Sequence, residues 1–255
     1  LVPGFVAAAF VTGSLSAGAQ ELPPDDLARA DAAVREAFAF LYALPSDTAG
    51  VAMGSWVVDS AATTPLSEPS GRWRLVVTKL VDTGEGLMLK EMVGEPGTSP
   101  AQLAAAMAAM QRLEGKISKA EADASVEIVV TINEPELSVR GVSADARRST
   151  PRIGGARLSL RVRGDWMRLD DRELEVAYER WSPATLVVGF GTFAPFEARR
   201  ITPKESLATF IVRAQTAATH RGLQSITVTA QGNEEMIDRL VREARWEALA
   251  NLVPR

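Results

Sequence analysis

Apolar residues recur at every second position in six stretches: Trp73-Leu75-Val77, Val126-Ile128-Val130-Ile132, Leu158-Leu160-Val162, Leu174-Val176-Tyr178, Leu186-Val188-Phe190 and Ile226-Val228. A strand sends alternate side chains to opposite faces, so each stretch predicts a strand with one buried face. The short connections Asp82-Thr83-Gly84-Glu85-Gly86 and Arg163-Gly164-Asp165 read as hairpin turns, which makes the strands mostly antiparallel.

Four other segments carry a three- and four-residue spacing. From Asp25 to Leu44, Leu27, Ala30, Val34, Ala37, Phe38 and Leu41 form one stripe between Pro23-Pro24 and Pro45. Ser99-Pro100-Ala101-Gln102 is a capping box, followed by Leu103, Ala106, Met110, Leu113, Ile117 and Ala120, with Gly115 a place for a bend. Thr202-Pro203-Lys204-Glu205 repeats the box before Leu207, Ile211, Ala214 and Ala218, and Gly222 closes that stripe. Asn233 caps a helix from Glu234 to Leu249, whose early carboxylates suit the helix dipole and whose Ile237, Leu240, Val241 and Ala244 face inward. Strands and helices do not alternate regularly. The expected fold is therefore α+β, a mostly antiparallel sheet with about four helices packed on it. At 255 residues one domain suffices, and 142–156 is a stretch where a subdomain break could fall.

Residues 1–19 carry no charge, include an apolar run from Phe5 to Val11 and end in small residues up to Ala19. This is the pattern of a secretory signal peptide with cleavage before Gln20, and the run is shorter than the roughly 20 residues a membrane span needs. Arginine outnumbers lysine 23 to 5, a bias of GC-rich bacterial genomes, so the expected location is the periplasm or the exterior.

Composition narrows the chemistry. The chain has no cysteine and one histidine, which excludes disulfide frameworks, iron–sulfur clusters, cysteine nucleophiles and multi-histidine metal centres. No cofactor or metal is expected. A net charge of -4 does not advertise a nucleic-acid binder, and the five tryptophans are not interleaved with basic residues in such a motif. His220 falls in the last turn of the helix predicted before Gly222, where a histidine suits the dipole, and no G-x-S-x-G elbow accompanies it. Gly189-Phe190-Gly191-Thr192-Phe193-Ala194 has the letters of a dinucleotide fingerprint, but Pro195 and the aromatic flank predict continued extended structure. Asp170, Asp171 and Glu173 have no calcium-loop spacing.

Asp82-Thr83-Gly84, after the strand 75–81, resembles the D-T-G signature of the aspartic proteases. That resemblance implies a catalytic Asp82 whose partner carboxylate comes from a second copy of the chain. The same residues compose an ordinary turn, which is the reading preferred here, with Asp82 the weak catalytic candidate.

Charge is distributed unevenly. Between Arg140 and Arg163 stand seven arginines and a single acid, Asp145, a local balance of +6. Val142 to Ala156 shows no apolar periodicity and reads as a long basic loop, a length at which connections tend to be binding loops. Arg147, Arg148, Arg152 and Arg157 are the candidate partner- or anion-binding residues, since guanidinium groups grip carboxylates and phosphates in a bidentate manner. Arg161 and Arg163 are expected to be neutralised across the strands by the acidic run Asp165, Asp170, Asp171, Glu173, Glu175 and Glu179. The functional expectation is an exported, non-catalytic accessory or scaffold protein of a bacterial envelope. Its partner would be an acidic protein surface, a membrane-associated complex or anionic lipid. The alternatives are an aspartic-protease-like hydrolase and a carrier of an apolar ligand along the helix Leu103 to Ile117.

Overall fold

A computed structural model of the chain describes residues 22–44, 56–58, 71–79, 116, 118–171, 176–200, 206–215 and 222–254. They form the expected α+β arrangement, a mostly antiparallel sheet with a few helices. Seven strands make the main sheet: β1 (Trp56–Val58), β2 (Arg72–Lys79), β3 (Ser125–Ile132), β5 (Arg148–Ser149), β6 (Leu158–Val162), β9 (Ala184–Gly191) and β12 (Ser225–Gly232). Their spatial order is β1-β2-β3-β12-β9-β6-β5, every neighbour antiparallel. A second sheet has the order β10 (Glu197–Arg200), β11 (Leu207–Arg213), β4 (Glu136–Ser143), and β7 (Asp165–Asp171) pairs with β8 (Val176–Ser182) as a ribbon.

One face of the main sheet carries the predicted alternation into the larger core. Trp73, Leu75 and Val77 of β2, Val126 to Ile132 at alternate positions of β3, Leu186, Val188 and Phe190 of β9, and Ile226 and Val228 of β12 meet the helices there. Those helices are α1 (Pro24–Ala37), α2 (Ala39–Tyr42), α4 (Glu234–Glu243) and α5 (Trp246–Ala250); α3, helical over 118–124, leads into β3. Phe38, at the break between α1 and α2, stacks on Trp73 with ring centroids 5.8 Å apart and meets Trp246 edge-on at 5.8 Å. The opposite face at the β9–β6 end packs on the three-stranded sheet through Leu160, Val162, Val187, Val139, Phe210 and Val212. β9 lies between both layers and is buried at all its positions.

Several expectations change. Leu207 to Ala214 is not helical: Leu207–Arg213 is β11, with Ala208, Phe210 and Val212 alternating into the second core. The run Thr209-Phe210-Ile211-Val212 is β-branched and aromatic, and a strand partner in β4 outweighs the helix-like spacing. The helix from Asn233 forms where expected, and the Asn233 side-chain oxygen accepts the Met236 N–H at 2.9 Å. It breaks at Ala244, where the Arg245 N–H donates to Ala37 O at 3.0 Å, and restarts so that Trp246 enters the core beside Phe38. Arg163-Gly164-Asp165 is a corner between sheets and no hairpin, because β6 pairs with β5 and β9 while β7 pairs with β8. Of the helix expected over 99–120, only residue 116 and residues 118–120 are described, and they are helical. The glycines of Gly189-Phe190-Gly191 lie in β9, as the extended reading required.

Candidate functional site

The basic stretch is a structured edge. It begins at a buried polar junction: Ser143 N–H donates to Ser182 Oγ at 2.9 Å, Ser182 Oγ donates to Gly141 O, and Ser143 Oγ meets Asp165 Oδ2 at 3.3 Å while accepting the Ala146 N–H. These hydrogen bonds join β4, β7 and β8. Beyond it Ala144, Ala146 and Ile153 are buried, β5 pairs with β6, and Ser159 Oγ donates to Pro151 O at 2.6 Å. The expected long basic connection over 142–156 holds within it the two-residue strand β5. Scattered single contacts, too irregular to give a period, tie it down. Gly154 and Gly155 fold it onto α5: a side chain on Gly155, at φ 73°, would strike Ala250.

The structure separates the four candidate arginines. Arg148 shares the face of Val162, and its guanidinium donates to Ala144 O at 2.6 Å and lies over the Phe210 ring at 5.1 Å. These contacts hold its side chain, although the residue is exposed. Arg147 is exposed and makes no side-chain hydrogen bond or ion pair among the described residues. Arg152 and Arg157 are likewise exposed and without such a partner. Arg157 precedes β6 and Arg163 follows it, which places them about 20 Å apart at the usual rise of a strand. Arg157 stands between two adjoining open hollows of about 490 and 510 Å³, one against Glu247 and Asn251, the other against Phe193 and Phe196.

Arg147 has a neighbour that the sequence did not reveal. The Arg163 N–H donates to Arg147 O at 3.0 Å, and the register Arg148↔Val162 continues to Arg147 opposite Arg163. Antiparallel residues so bonded have Cα atoms about 5.5 Å apart with side chains on one face. Two guanidinium groups therefore face the same way across the sheet edge. Like charges in that position are destabilising unless an anion intervenes.

The acids nearby do not come from the expected source. Glu234 Oε1, in the first turn of α4, receives Arg161 at 3.1 Å and Arg163 at 3.3 Å, and Asp238 takes the other Arg161 nitrogen. Among the described residues the carboxylates on these two arginines belong to α4 and not to the run after Asp165. β7 leaves the main sheet at Gly164, so its residues never become cross-strand neighbours of β6. Asp145, the only acid in the basic stretch, pairs with Arg200 of β10. Among the described residues Arg161 and Arg163 thus draw on the two carboxylates of Glu234 and Asp238, and Arg147 beside them has none.

Comparison with protein-family models, curated proteins and solved structures gave no match. Asp82, His220, the helix Leu103 to Ile117 save residue 116, and the segment 1–19 lie outside the described residues. Among the described residues no group of three or more histidine, cysteine or carboxylate side chains could hold a metal, and no helix is long and apolar enough to cross a membrane.

Proposed function

We propose that this chain is an exported, non-catalytic accessory protein that holds an acidic protein surface against the β5–β6 edge, through Arg147 and Arg163 with Arg152 and Arg157 extending the contact. One observation carries the reading. Register sets Arg147 opposite Arg163 on an exposed edge with Glu234 as the carboxylate at hand, and that carboxylate already serves Arg161. A carboxylate-bearing partner relieves the repulsion and gains charge-assisted hydrogen bonds. Export enters from the sequence pattern of residues 1–19.

The test uses the full chain and an envelope fraction from the source cells. Wild-type protein sediments with the fraction at low salt and is released at about 0.5 M salt, where screening acts over only a few ångströms. The double variant Arg147→Glu, Arg163→Glu stays in the supernatant while keeping its circular dichroism spectrum. Equal sedimentation of the folded double variant would overturn the proposal.

A further inference from the structure

We infer that the acidic partner meets this edge as an extended segment, added to the main sheet as an eighth strand outside β5. The inference rests on the reading above and names the form of the partner.

Among the described residues β5 ends the seven-stranded order, and Arg147, Arg148, Ser149 and Thr150 are all exposed. The hydrogen bond from Arg163 N–H to Arg147 O makes that pair the bonded one, so the alternation of an antiparallel ladder turns the N–H and C=O of Arg148 away from β6. Those two groups face outward from the last strand, where an added chain can pair with them.

The edge is set before any partner arrives. Behind it, Ile153 is buried, Pro151 O is held by Ser159, and the Arg148 side chain is fixed on Ala144 O and Phe210. Little ordering is left to offset on binding.

Charge selects the strand that fits. A second copy of β5 would bring arginine against arginine, which guards the edge from self-pairing. A segment with a carboxylate at every second position would place all of them on the face shared by Arg147 and Arg163, and its other side chains on the opposite face. Shifting that segment by one residue would turn every carboxylate away, so the charge pattern fixes the register. The same short, charged edge that resists aggregation is thereby a receptor for one kind of strand.

The probe is a blocked peptide of alternating threonine and glutamate, titrated into the full chain at low salt. Two N-methylated versions accompany it, one methylated on the threonines and one on the glutamates. Alternate N–H groups of an added strand point at the sheet, so one methylated peptide should bind about tenfold more weakly and the other about as well as the parent. Amide exchange at Arg148 should slow about tenfold in the parent complex. If both methylated peptides match the parent and the Arg148 amide stays unprotected, the contact is made by side chains alone: the added strand is overturned and the acidic partner stands. If the parent peptide fails to bind at about 1 mM, weaker than the range of specific recognition, the added strand is also overturned, and the sedimentation assay decides the acidic partner separately.

Discussion

Arg161 is tied to Glu234 at 3.1 Å, and through that contact the sixth strand of the main sheet is fastened to the first turn of α4. The arginine side chain is 14% exposed and its Nε is buried without a hydrogen-bond partner, whereas Glu234 is 38% exposed and bonded also to Arg163. The pair serves the fold and, at the same time, limits the positive charge that the edge shows to solvent.

Glu234→Gln should therefore move stability and binding in opposite directions. Loss of a charge-assisted bond to a mostly buried guanidinium should cost about 1–2 kcal/mol in urea unfolding. Affinity for the alternating acidic peptide should rise a few-fold, because Arg161 and Arg163 lose their shared carboxylate. A variant that loses both stability and affinity would mean that Glu234 positions the edge without restraining its charge.

Asn133 joins the β3–β4 turn to the entry of β12. Its side-chain oxygen accepts the N–H groups of Gln224 at 2.8 Å and Ser225 at 3.1 Å, its nitrogen donates to Gly222 O at 2.8 Å, and its φ is 53°. Asparagine tolerates that left-handed backbone better than most residues. Asn133→Ala should destabilise by about 2–4 kcal/mol by losing these bonds and straining the backbone. Asn133→Gly, which relieves only the strain, should be milder by about 1 kcal/mol. Chemical denaturation of the two variants side by side makes the comparison, and equal losses would remove backbone strain from the account.

Glu134, next in the chain, carries a pH dependence. Burial raises its carboxyl above the usual range, and the Arg72 guanidinium acts in the opposite direction without cancelling it. The folded state then keeps a proton that the unfolded chain has already released. This contribution to stability is fully present below the ordinary glutamate range of about 4.3 and is lost as pH rises through the folded value. Glu134→Gln should raise the melting temperature at neutral pH, with the gap to wild type closing under acid conditions. A gap that stays constant with pH would show that ionisation of Glu134 is not its source.

The period-two stretches predicted β2, β3, β6, β9 and β12 because a two-layer burial leaves its mark on consecutive residues. Asn233 before two glutamates marked the start of α4 for an equally local reason: a cap satisfies amides within one turn. β11 was misread because Leu207, Ile211 and Ala214 match a helical stripe as well as Ala208, Phe210 and Val212 match a strand. Local spacing could not choose between them; pairing with β4 did.

The same division runs through the candidate site. Sequence alone determined that the segment from Arg140 to Arg163 is strongly basic, because charge is additive along a chain and needs no fold to be counted. Which guanidinium groups are held by the fold was decided by tertiary structure: Arg148 was drawn onto Phe210, Arg161 onto α4, and Asp145 away to Arg200. The juxtaposition of Arg147 with Arg163 arose only when β5 paired with β6. Register across a sheet is set by which faces are buried on both sides, and those partners come from distant parts of the chain.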